Sequence, residues 1–142
     1  MADLDLDDLV GEWHDSDDPR PLAEYLGMTP WLYNAWVERP EEFGTVSTLD
    51  ECAANYPHWR VIRMFVVGEL ADQVRSRLNG QPEDRVWASF AYDIGRAEAV
   101  LSFDCYTSPT QIKDVSFVVG YLGDKQGRFT DVRAWLDGDA DA

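Results

Sequence analysis

The sequence is poor in positive charge, with 12 Lys and Arg against 27 Asp and Glu, a formal net charge of −15 over 142 residues. Affinity for nucleic acid comes largely from cations that neutralise phosphates. The shortage therefore excludes broad, nonspecific binding to nucleic acids or to anionic membrane surfaces. Cysteine is scarce as well: Cys52 and Cys105 are too few for a disulfide framework or a structural zinc site. His14 and His58 are the only histidines, and neither stands at ligand spacing from the other or from a cysteine. No apolar run approaches the ~20 residues that a bilayer-spanning helix needs. The acidic start Met1–Asp8 has neither the basic opening nor the apolar stretch of a secretory signal. A cytoplasmic setting without a membrane partner is therefore expected. Phosphate-cradling loops, dinucleotide fingerprints and nucleophile elbows are also missing, so no cofactor is assigned.

What the chain does have is apolar and aromatic mass. Hydrophobic residues make up 45% and aromatics 13%, enough to bury the core of one domain rather than remain disordered. The charge is unevenly placed. Residues 1–56 hold 14 acidic side chains against Arg20 and Arg39, a net of −12, whereas residues 57–142 carry a net of −3. This asymmetry divides the chain into an acidic helical module, 1–56, and a nearly balanced body, 57–142, expected to pack as one compact unit.

Local patterns give an α+β order. Leu6, Leu9, Val10 and Trp13 form one apolar stripe on a short helix within 3–15, with Asp3, Asp5, Asp7 and Asp8 at its start, where the helix dipole favours them. Pro19 and Pro21 break it. Leu22–Leu26 reads as a short helix stopped at Gly27, and Thr29-Pro30 as the cap and first residue of the next helix, which ends before Pro40. The stretch 38–56 is expected to be a connection holding a short helix near 48–55. Trp59, Ile62, Val66, Leu70, Val74 and Leu78 share one face at helical spacing, which predicts a single long helix over 57–78. The β-branched cluster at 61–67 leaves a strand open for 60–67, with a helix after Gly68. Beyond Pro82 the period becomes two, predicting strands over 86–92, 97–105 and 115–121, a turn at Gly95-Arg96, and a fourth strand or short helix over 129–136. The fold expected is short N-terminal helices, one long helix, then an antiparallel β-meander of three to four strands.

Segment 22–37, LAEYLGMTPWLYNAWV, has helix-turn-helix spacing, with Ala23 at the crossing and Gly27 at the turn. Its second helix contains no Lys or Arg, and only Asn34 suits a base edge. A buried helical hairpin is the simpler account, and no direct nucleic-acid contact is expected. The same stretch, Trp13-His14 with Leu22, Tyr25–Thr29, Tyr33 and Trp36-Val37, resembles a short module of small, mostly uncharacterised proteins of bacteria and their phages. The resemblance spans about 28 residues. Where the family pattern has acidic residues after the threonine, this chain has Pro30-Trp31-Leu32. The resemblance implies a phage or mobile-element accessory protein and brings no activity with it.

No catalytic or metal-binding residue is assigned. His14-Asp15 reads as a helix end, and Cys105 falls on the apolar alternation of its strand. Asp93, Asp104 and Asp114 lie near strand ends, but Lys113 does not stand in the context a nuclease-type metal site needs. The tryptophans carry more information. Trp13, Trp36, Trp59 and Trp135 fit core stripes, while Trp31 and Trp87 fall off them and are expected to be exposed anchors. The partner-binding surface expected is therefore Asp3, Asp5, Asp7, Asp8, Asp15, Asp17 and Asp18 with Trp31 and Trp87. The function expected is non-enzymatic: an acidic, DNA-mimicking protein that binds a basic, nucleic-acid-handling host protein. On the resemblance, it is a phage-type inhibitor of a component such as a defence system. The alternative is a helix-turn-helix regulator or antitoxin.

Overall fold

A computed structural model describes residues 6–56, 63–108, 110–121 and 127–138. Helix α1 (Leu6–Asp15) buries Leu6 and Leu9 and leaves Asp7 and Asp8 in its first turn. After the prolines, α2 (Leu22–Tyr25) makes a single turn and stops at Gly27, whose φ of +73° is a conformation that glycine adopts cheaply. Helix α3 (Pro30–Glu38) starts as expected: Pro30 takes the first position, and the Thr29 hydroxyl accepts from the Leu32 N–H at 3.1 Å.

Strand β1 (Phe43–Val46) follows a short 3-10 turn at Pro40–Glu42. Helix α4 (Leu49–Asn55) opens on a capping box, in which Thr48 and Glu51 satisfy each other's backbone N–H groups. Then come β2 (Arg63–Val66), α5 (Gly68–Arg77), β3 (Arg85–Asp93), β4 (Glu98–Ser108), β5 (Gln111–Tyr121) and α6 (Thr130–Asp137).

The α+β class stands, but the expected architecture is corrected in two respects. The sheet has five strands in the order β1-β2-β3-β4-β5, and its first pair is parallel, with Phe43 opposite Arg63 and Val46 opposite Val66. It is therefore a mixed sheet, not a three- to four-stranded antiparallel meander. Parallel neighbours need a crossover, and α4 lies in the one between β1 and β2. Nor does one long helix occupy 57–78. Residues 57–62, including Trp59, lie outside the described residues, 63–66 are strand, and Gly68 at φ +65° starts the separate helix α5. The reading failed because β2 is apolar on both faces. Met64, Phe65 and Val66 are all buried, and such a run cannot be told from a helical stripe by period alone.

Alternation along the strands sends side chains to two cores. On one face Val66, Val86, Ala88, Leu101 and Phe103 pack against Leu49 and Cys52 of α4, Leu70 and Val74 of α5, and Val132 and Leu136 of α6. On the other, Phe65, Val67 and Trp87 pack against Leu6 and Leu9 of α1 and against Leu26 and Met28 from the α2–α3 hairpin. The second core covers only the β1–β3 side. Over the rest of that face Ser102 and Asp104 of β4 are half-buried, and Asp114, Ser116 and Val118 of β5 are exposed. No helix among the described residues is long and apolar enough to cross a membrane.

Two glycines test the helical layer with opposite signs. At Gly27 a Cβ would collide with the Cβ of Arg85 in a left-handed backbone, so Gly27→Ala should destabilise by ~2–4 kcal/mol. At Gly11, inside α1, a Cβ meets nothing within 4 Å, so Gly11→Ala should stabilise by up to ~1 kcal/mol. Urea unfolding midpoints of the two variants measure both.

Candidate partner-binding site

The acidic side chains singled out in the sequence do not form one uniform patch. Asp7, Asp8 and Asp15 on α1, and Asp17 after it, are exposed; Asp3 and Asp5 lie outside the described residues. Asp18 is different. Its carboxylate takes Nε and Nη2 of Arg20 at 2.9 and 2.7 Å and the Arg20 N–H at 2.9 Å, which hold its pKa down at about 2. Arg20 in turn lies 5.0 Å over the Tyr25 ring, and its carbonyl accepts from the Trp13 indole at 2.8 Å. Asp18 thus closes the turn between α1 and α2.

The two tryptophans part company. Trp31, in the first turn of α3, is 66% exposed, as expected. Trp87 is not exposed: it is 3% accessible, and its indole N–H donates to the Leu26 carbonyl at 3.3 Å. It fell off the stripe of its own strand because that strand is buried on both faces here, with Val86 in one core and Trp87 in the other.

Between α3 and the uncovered part of the sheet lies a cleft of about 250 Å³, with Trp31 and Leu32 on its helical wall and Ser89, Asp104, Tyr106 and Ile112 on its sheet floor. Arg63 stands at the β2 end. Its guanidinium lies 4.7 Å from the Trp31 ring and 5.8 Å from the Phe43 ring. Sequence reading missed Arg63, which stands with Arg60 in an otherwise apolar run and carries no motif.

The electrostatic anomaly at this cleft is Asp104 on its floor, which belongs to a pair of carboxylates. Asp104 of β4 and Asp114 of β5 are register partners, so like charges face each other directly across the ladder. Burial, and then the Asp114 charge, push the pKa of Asp104 up to about 6. No hydrogen bond or ion pair reaches the Asp104 carboxylate among the described residues. One row along, the hydroxyls of Ser102 and Ser116 pair at 2.7 Å. Asp93 does not join the carboxylates: it sits in the β3–β4 turn and accepts from the Arg96 N–H at 3.2 Å. Among the described residues no group of three or more His, Cys, Asp or Glu is placed to hold a metal ion.

The remaining candidates are occupied by packing. Burial pushes the Cys52 thiol up to about 12 and the Cys105 thiol up to about 11, the latter helped by Asp84. Asp84 itself accepts from the Gln81 N–H at 2.8 Å and the Thr107 hydroxyl at 3.1 Å, closing the α5–β3 connection. His14 packs edge-on to Trp13 at 5.1 Å, and His58 lies outside the described residues. No protein-family model, curated protein or solved structure matches the chain.

The raised pKa has a consequence for stability. Asp104 binds its proton more tightly in the folded chain than at its ordinary value of 3.8, so its contribution is full below that value and is lost as pH rises through about 6. The displacement corresponds to at most ~3 kcal/mol, and solvent access through the cleft reduces it to about 1 kcal/mol. Asp104→Asn should therefore be more stable than the parent chain at pH 7.5, with the gap closing by pH 4. Thermal unfolding across that range measures it.

Proposed function

We propose that this chain acts by binding rather than by catalysis, as an acidic module that occludes the basic, nucleic-acid-binding surface of another protein. The observation that carries the reading is the composition of the exposed helical layer. Asp7, Asp15 and Asp17 face solvent, the ring of Trp31 is exposed on the same helical layer, and the outward residues of α3, which include Asn34, Val37 and Glu38, hold no cation. An anionic face competes for a groove that otherwise holds phosphates, and a desolvated ring supplies the apolar anchor. The resemblance of 13–37 to a module of bacterial and phage accessory proteins supports the narrower reading, an inhibitor of a host nucleic-acid-handling system such as a defence component.

The helix-turn-helix alternative finds less support. The α2–Gly27–α3 hairpin has the form of that motif, but α3 carries no Lys or Arg, and its inner residues Leu32, Tyr33 and Trp36 pack on the second core. A recognition helix without phosphate contacts has little affinity to offer.

The test uses a basic nucleic-acid-binding protein recovered from host lysate on the immobilised chain. Changing Asp3, Asp5, Asp7, Asp8, Asp15 and Asp17 together to Asn should slow association several-fold and flatten its salt dependence, because steering is screened over ~8 Å at physiological ionic strength. Asp18 is left intact so that its clamp on Arg20 survives. Trp31→Ala should instead raise the dissociation rate. A gel shift of duplex DNA by the purified chain, sensitive to salt and sequence, would promote the regulator reading in its place.

A further inference from the structure

We propose that the uncovered face of β4 and β5, together with the cleft beside α3, is the docking surface for a basic, amphipathic segment of the partner, whose Lys or Arg side chain settles between Asp104 and Asp114. The assignment rests on the protein-binding reading above and moves its centre from the N-terminal carboxylates to the sheet.

The first observation is an unfinished layer. Helices α4, α5 and α6 cover one face of the sheet from β1 to β5, whereas among the described residues the core under α1–α3 spans the other face over β1–β3, and beyond it only Tyr106 of β4 is buried on that face. Beyond that line Ile112 is 40% and Val118 43% exposed, and Trp31, 66% exposed, lines the cleft with Ile112. A sheet face turned to water is ordinarily polar. This one carries apolar side chains at both ends of β5 with carboxylates and hydroxyls between.

The second observation is charge without complement. Asp104 and Asp114 face each other on neighbouring strands, an arrangement that costs stability and that no hydrogen bond or ion pair to Asp104 relieves among the described residues. Lys113 is next in sequence but belongs to the opposite face, paired in register with Cys105, and its ammonium donates to the Asn79 carbonyl at 2.7 Å. Arg63 lines the same cleft but stands two strands away from Asp104, about 10 Å across the sheet, with Trp31 and Phe43 against its guanidinium. A cation from outside would relieve the repulsion and gain two charge-assisted contacts at once.

Together these features select the occupant. Apolar anchors flanking a pair of carboxylates match a segment that presents apolar side chains along one stripe with a basic residue among them. A divalent ion finds no third acidic or histidine ligand among the described residues. A second copy of the chain would bring the same carboxylates and the same net charge of −15 against each other.

The probe is a synthetic helical peptide of about 18 residues, five turns, with Leu on one stripe and Arg beside it. It is titrated into the isotope-labelled chain and followed by amide NMR, alongside a counterpart in which Glu replaces Arg. The expected result is one-to-one, saturable shifts at Ser102, Asp104, Asp114 and Ser116 and at the Trp31 indole. Asp104→Asn with Asp114→Asn should then weaken the peptide by about tenfold or more, while Asp7→Asn with Asp15→Asn and Asp17→Asn should change its Kd by less than about threefold. The parent and variant spectra themselves report that each variant is folded. Shifts confined to α1 and residues 15–18 would overturn the sheet-face assignment and leave the protein-binding reading standing. Equal binding of the Glu counterpart would overturn the role of the carboxylates. Concentration-dependent shifts on the same strands without peptide would give the surface to a second copy instead. Silence on both surfaces would overturn this assignment and the reading beneath it.

Discussion

The helical layer depends on two donors from β3. Helix α2 is a single turn, too short to hold itself together, and its terminal carbonyls take donors from the sheet. Arg85 Nε donates to the Tyr25 carbonyl at 3.0 Å and the Trp87 indole to the Leu26 carbonyl at 3.3 Å. These bonds fix the end of α2 on the central strand. The Trp87 ring then packs against Phe65 at 5.1 Å and Phe43 at 6.0 Å between centroids, seating the strands beneath the helices. Gly27 must turn where Arg85 passes, which is why a backbone without a Cβ stands there. The direction of α3, and with it the wall of the cleft, follows from this contact.

Much of the local structure was legible because its signals are chemical and short-ranged. Thr29-Pro30 starts a helix wherever it is placed, Gly27 ends one, and Gly95-Arg96 separates two alternating strands. What was hidden depends on neighbours far away in sequence. Four residues at 43–46 become a strand only because β2 lies alongside. The apolar run at 64–66 is a strand because helices cover it on both sides, and a doubly covered strand has no alternation to read. Trp87 misled for the same reason, since exposure was inferred from a stripe that assumed one buried face. Asp104 and Asp114 were visible as acids, but not as partners, because a register is a tertiary fact.

The two sets of carboxylates are physically unlike. Asp7, Asp15 and Asp17 are exposed to water, so they act at a distance and are screened by salt. Asp104 is half-buried, beside a like charge and out of reach of any cation among the described residues, so its interactions are short-ranged and stronger for each contact. A surface that combines both kinds divides the labour of recognition. On the proposed reading, the remote charges would govern how often a partner arrives, and the confined pair whether it fits.

The strand order leaves β5, eleven residues long, at one margin of the sheet, and β1, only four residues, at the other. A long margin with unpaired backbone groups and apolar side chains is a template for amyloid-like growth, which proteins usually blunt with prolines, lysines or very short strands. Here β1 is blunted by its brevity, while β5 contains no proline and only Lys113 as a basic gatekeeper. The colloidal safeguard is instead the chain's acidity: two molecules that meet along β5 do so with 15 negative charges each and Asp114 on the strand itself. The same excess of carboxylate on which the proposed binding of a basic partner rests thus also opposes self-association along β5.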